Sequence, residues 1–385
     1  MENEEPVQLY VSDPILNKDG VNQFTSYTLQ GAKLQESLSR RYRDFDALRR
    51  KFVERWPGIY IPNIPHKKIV GSTDKDIVGF RIEHINRFLK KISHIDYLFN
   101  SDEMELFLQH TPNVPKALEN IREDNYQNLL KRYSSVFTDY DDNFDTIAGK
   151  NEQDQFYKRL LELYPKLRNF RAFISQEKDR YKVVQQSYSA VINTLSLYEK
   201  EVIDAYVGSD ENKLVFFNMK NIDLCKNISN AKEKVINPYD RIFDSITEDY
   251  LDAEAMQEAL EGLKGLQENY NKLTKNLTAT NVQLNDLQAG KTNVKNLLRF
   301  KGKEENISTL MAEKERLEKD IDYLGQIIKI ATFNMQNQIK KYKTVSLENY
   351  YAQLKMIAKD TEFNAKISDD LWETIVKDKN IAEFN

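Results

Sequence analysis

The stretch 40–51, RRYRDFDALRRK, places six cationic side chains in twelve residues. Arginine presents a planar fork of donors that matches phosphate better than the point charge of lysine. Arg41 and Tyr42 fall where a strand-like alternation, KLQESLSRRY, gives way to a helical period, a junction that fixes side chains. A tyrosine beside such an arginine can lie flat against a ring. Lys67, in the loop GIYIPNIPHKKIVG, and Arg81, on the following helix, supply further donors. The four together suit a polyanionic ring. The alternative is an ordinary charged helix surface, and Arg40 in particular reads as general surface charge.

No other group of residues points to chemistry. The four histidines, His66, His84, His94 and His110, lack metal-ligand spacing. The single cysteine, Cys225, rules out an intrachain disulfide and a cysteine-rich metal site. P-loop, nucleophile-elbow and dinucleotide motifs are missing from the sequence. No catalytic residue, metal or cofactor is expected, and the chain does not read as an enzyme. Its 56 basic and 60 acidic side chains give a net charge of −4, unlike a general nucleic-acid binder, so attraction to polyanions must be local. No run approaches the roughly 18 apolar residues of a membrane span, and the start, MENEEPVQLY, lacks the regions of a signal peptide. A cytoplasmic protein in peripheral contact with membranes is expected.

The elements that must position these residues change character along the chain. Seven of nine prolines lie at or before Pro115, so turn-rich structure comes first and long helices follow. PVQLYVSDPI, NQFTSYTLQG and KLQESLSRRY read as three strands, the first ending at the turn NKDG. Phe45, Leu48 and Phe52 then mark a helix stopping before Pro57; Phe80, His84, Ile85, Phe88, Leu89 and Ile92 mark a second; DEMELFLQH closes the region near His110. Beyond it, heptads run through Leu310, Leu317, Leu324 and Ala331 and through comparable series in 160–202 and 263–298. Sustained spacing of this kind predicts three long helices packed at shallow angles, broken at VGSDENK and FKGKEEN, with apolar surface left for a second copy.

These motifs resemble the phox-homology (PX) domain, a phosphoinositide-binding module. The resemblance rests on Arg41-Tyr42-Arg43-Asp44-Phe45, on a proline loop ending in lysine (Ile61-Pro62-Asn63-Ile64-Pro65-His66-Lys67), and on Arg81 early in the next helix. It implies that Arg41 holds the 3-phosphate of phosphatidylinositol 3-phosphate and that Tyr42 packs on the inositol. Lys67 would reach the 1-phosphate, with Lys68 one slip away, and Arg81 the 4- and 5-hydroxyls. It further implies that Ile69 and Val70 enter the bilayer, each adding roughly 1.5–3 kcal/mol if fully buried; packing beneath their own loop is the alternative. NLLRFKGKEENISTLMAEKERLEKDI and LENYYAQLKMIAKDTEFNAKISDDLWETIV are similar to the tip and last helix of sorting-nexin BAR domains.

The combination resembles a PX–BAR sorting nexin. It implies a multidomain fold: a small α+β PX domain (5–110), a linker with a possible amphipathic helix (111–135), and an all-α, elongated three-helix BAR domain (136–385). The linker stripe Val114, Leu118, Ile121, Leu129 and Tyr133 fits either an amphipathic helix or the opening of the first BAR helix. Membrane-facing candidates are Lys291, Lys295, Arg299, Lys301 and Lys303, together with Arg168, Arg171, Lys178, Arg180 and Lys182. Expected partners are phosphatidylinositol 3-phosphate membranes, a homodimeric or heterodimeric sorting-nexin mate, and retromer-like or autophagy proteins, with no nucleic acid. The implied location is the early endosome and the implied role is curvature-coupled endosomal sorting. The rival of another class is a cytosolic coiled-coil scaffold whose N-terminal domain binds a protein.

Overall fold

The structure, a computed structural model, describes residues 9–19, 22–31, 33–65, 75–122, 124–141, 143–198, 201, 234–289 and 303–377. Three antiparallel strands, β1 (Leu9–Asp19), β2 (Asn22–Gly31) and β3 (Leu38–Arg41), form a sheet in the order β1-β2-β3. β1 outruns its sequence pattern, passing through Pro14 by means of a bulge between Ser12 and Ile15, where Asp13 takes φ 43°. An edge strand tolerates this, since a missing N–H there breaks no inner ladder. β3 is shorter than predicted: only four residues pair, and 33–37 form the turn that brings them back.

α1 (Tyr42–Arg55) follows β3 without a break, and Phe45, Leu48 and Phe52 are fully buried on one face. α2 (Lys75–Ser93) buries His84, Ile85, Phe88, Leu89 and Ile92 as its spacing predicted. Short helices α3 (Asp96–Phe99) and α4 (Asp102–Phe107) come next. The segment read as linker forms α5 (Val114–Glu119) and α6 (Tyr126–Val136), which pack inward. Val114, Leu118 and Tyr133 are buried. Trp56 lies among Tyr97, Tyr133 and Phe137, with ring centroids 4.6, 5.5 and 6.1 Å away. Arg55 is buried against Glu103 (2.5 Å) and pairs with Asp124 (3.1 Å), tying α1 to α4 and to the approach to α6.

Three long helices complete the chain: α7 (Thr146–Tyr198), α8 (Pro238–Gln288) and α9 (Lys303–Val376), of 53, 51 and 74 residues. The break expected at 207–213 lies outside the described residues, as does the first part, 300–302, of the one expected at 300–306; its remainder, 303–306, already belongs to α9. The chain forms two compact units. One comprises Met1–Glu162 and Leu251–Tyr342, the other Leu163–Tyr250 and Lys343–Asn385.

In the first unit the heptad residues Leu310, Leu317, Leu324 and Ala331 are buried as expected, and Gln153 donates to the Thr332 carbonyl at 2.7 Å. In the second, Ile174, Ile242 and Ile246 form a core with Tyr239, Phe243 and Ile357. There α8 runs antiparallel to both neighbours. Arg171 meets Thr247 and Lys178 meets Asp240, while Asn349 meets Asp249 and Arg241 meets Asp360.

Candidate functional site

Arg41 caps α1. Its backbone is extended (φ −92°, ψ 158°) and its N–H donates to the Asp44 carboxylate at 2.8 Å. An anion is favoured at such a helix start, where the dipole is positive and backbone donors lack intrahelical acceptors. Across the sheet Arg41 pairs with Ser26, which makes Phe24 its diagonal neighbour on the same face. The guanidinium carbon of Arg41 lies 3.4 Å from the centre of the Phe24 ring.

Tyr42 opens the helix and is buried, 7% exposed. The Arg81 guanidinium comes in from α2 to lie 4.9 Å from the centre of its ring. Forty residues of chain separate Arg41 from Arg81, and the fold brings both to the start of α1. Tyr27 of β2 is buried in the same neighbourhood. Among the described residues the Tyr42 hydroxyl has no hydrogen-bond partner, and Arg81 is also the charged neighbour of Tyr27. Burial pushes both phenols above their usual range; for Tyr42 the charge of Asp46 adds to this, and for both Arg81 opposes it. They stay neutral, so the positive charge here belongs to the arginines.

Most of the remaining charge in 40–51 is structural, and the surface reading of Arg40 is corrected. Arg40 is 4% exposed, and its guanidinium donates to the carbonyls of Phe107 (2.7 Å) and Gln109 (2.5 Å). It satisfies carbonyls left over at the end of α4. Arg49 is buried, donating to the Pro62 carbonyl (3.1 Å) and pairing with Glu258 on α8. Lys51 is buried against the Ile121 carbonyl (3.0 Å). Arg43 and Arg50 are exposed and pair with Asp44 (3.6 Å) and Asp46 (3.2 Å).

The proline loop is described as far as Pro65, with Ile61 and Ile64 buried. Its polar groups dock on α8: the Tyr60 hydroxyl donates to Asp252 (2.8 Å) and the Asn63 amide to Glu254 (2.5 Å). Lys67, Lys68, Ile69 and Val70 lie outside the described residues, as do Lys291, Lys295, Arg299 and Lys301; Lys303 is described only as the first residue of α9. In α7, Arg168 and Lys182 are exposed, and Arg180 pairs with Glu177. Arg171 does not face outward: it donates to Thr247 (2.8 Å) and lies 5.0 Å from the Phe243 ring centre. Lys178 is held by Asp240 at 2.8 Å. Phe24 was not singled out from sequence, because its role depends on cross-strand register.

Comparison with known proteins agrees with this geometry. Residues 31–111 match the PX domain family. Sorting nexin-18 of Mus musculus is 28% identical over 109 residues, 28% of this chain and 18% of that protein. The vacuolar protein sorting-associated protein vps5 of Schizosaccharomyces pombe is 30% identical over 113 residues, 27% and 19% of the two chains. Sorting nexin-30 of Xenopus tropicalis is 27% identical over 189 residues, 45% and 39%. The chain thus spans less than half the length of these relatives. In fold it is similar to a chain of the SNX-BAR Mvp1 tetramer solved by cryo-EM, with TM-score 0.53 and 13% identity over 96% of this chain and all of that one. Residues 31–111 thus form a PX domain, a long helical region follows it, and over most of the chain the fold is similar to that of an SNX-BAR protein.

Proposed function

We propose that the chain is a non-enzymatic peripheral membrane protein that binds phosphatidylinositol 3-phosphate through Arg41 and Arg81 at the start of α1. The observation carrying this reading is the convergence of those two arginines beside a buried tyrosine at a helix N-terminus. In this reading Arg41 takes the 3-phosphate and Arg81 the adjoining hydroxyls. Tyr42 carries Arg81 on its ring and forms the floor beneath the inositol. Lys67 and the apolar pair Ile69 and Val70 complete the contact from the proline loop.

The long helices supply the second half of the function, assembling with a second copy or another sorting nexin into a curved dimer that senses or imposes membrane curvature. Exposed apolar residues of the second unit, including Phe170, Phe173, Tyr350, Tyr351 and Leu354, support that assembly, since so large an apolar surface favours a partner. Two modest interactions made together give selectivity through effective concentration. The setting proposed is sorting at early endosomes, with retromer-like or autophagy proteins as partners.

Sedimentation of the full chain with liposomes carrying each phosphoinositide in turn, at several vesicle diameters, tests both halves. Preference for phosphatidylinositol 3-phosphate and for small vesicles is expected. Equal binding to all phosphoinositides would count against the pocket, and equal binding at all diameters against the curvature role.

A further inference from the structure

Phe24 has no role in the scheme above, yet its ring lies 3.4 Å from the guanidinium carbon of Arg41, well inside cation–π range. The sheet dictates the contact: Ser26 pairs with Arg41, and Phe24, two residues back, shares their face. Asn17, opposite Phe24 on β1, donates to the Ser26 hydroxyl at 2.7 Å, tying the strands together beside the ring. A ring against the flat side of a guanidinium has a definite electronic consequence. The negative face of the ring attracts the cation, and the in-plane N–H groups are directed sideways, where a phosphate is met edge-on. An arginine at the end of a four-residue strand otherwise carries several free torsions, and ordering them on binding costs affinity.

We infer that Phe24 is a positioning residue for the headgroup site, holding the Arg41 guanidinium in the orientation that meets the 3-phosphate. The inference rests on the phosphoinositide reading of Arg41, and its test separates the two. In the full chain, Phe24 is replaced by phenylalanines carrying one, three and five ring fluorines, which keep the shape of the ring while progressively removing and then reversing its negative face. The probe is inositol 1,3-bisphosphate free in solution, so bilayer insertion plays no part. Affinity is measured by calorimetry and referred to the folded fraction, with Phe24→Tyr and Arg41→Gln alongside.

A graded loss reaching about three-fold with five fluorines is expected, with Phe24→Tyr near wild type. A packing role alone leaves the fluorine series flat. If the series is flat while Arg41→Gln abolishes binding, the inference about Phe24 is overturned and the headgroup reading stands. If Arg41→Gln binds as well as wild type, the headgroup reading itself falls, and the inference with it.

Discussion

Arg40 and Arg41 are neighbours with opposite fates because successive strand residues point to opposite faces of a sheet. Arg40 pairs with Tyr27 on the core side and shares its face with buried Leu38, whereas Arg41 pairs with Ser26 on the other side. That parity was legible in KLQESLSRRY: once Leu38 is placed inward, Arg40 must follow it. What the sequence could not show was a set of carbonyls waiting at the end of α4. Replacing Arg40 by Met leaves the buried Phe107 carbonyl without that donor, so denaturant unfolding should show a loss of about 1–3 kcal/mol. Headgroup affinity of the folded protein should be unchanged. A stable Arg40→Met protein with weakened headgroup binding would reverse the two assignments.

At the scale of elements, α1 and α2 were readable because one face of each is apolar at helical spacing, and every position named on them is buried except the partly exposed Phe80. β3 was overread, since the alternation in 33–42 continues into residues that only turn the chain. The docking of the proline loop on α8 was not legible. It depends on Asp252, Glu254 and Glu258, acidic residues on a long helix that look like ordinary solvated charge. The approach is tight at two glycines: Gly58 has φ 81°, and a Cβ on Gly262 would fall 2.8 Å from the Gly58 nitrogen. Backbone cannot yield as a flexible side chain does. Gly262→Ala should therefore cost roughly 1–3 kcal/mol in thermal or denaturant unfolding, while Gly265→Ala, with open space around it, should be neutral or slightly stabilising. Equal effects at the two positions would contradict the close approach.

At the scale of the whole molecule, heptads announced the long helices, and in the first unit the seam closes on residues of the same chain. In the second unit many apolar side chains on α7 and α9 stay exposed. Hydrodynamic mass by light scattering should be twice that of one chain, and Tyr350→Glu with Leu354→Glu should shift it toward the monomer without loss of helicity. A wild-type monomer at micromolar concentration would argue against self-assembly.

The central claim concerns one charge among many, and a matched pair of substitutions tests it. Arg41→Ala and Arg43→Ala each remove one cation from the same twelve-residue stretch, so a diffuse field of charge predicts equal losses. Sedimentation with phosphatidylinositol 3-phosphate liposomes should instead fall at least ten-fold for Arg41→Ala, the loss of a charge-assisted phosphate contact. It should change less than two-fold for Arg43→Ala, an exposed side chain paired with Asp44. Equal losses in the two variants, or none in Arg41→Ala, would contradict the account.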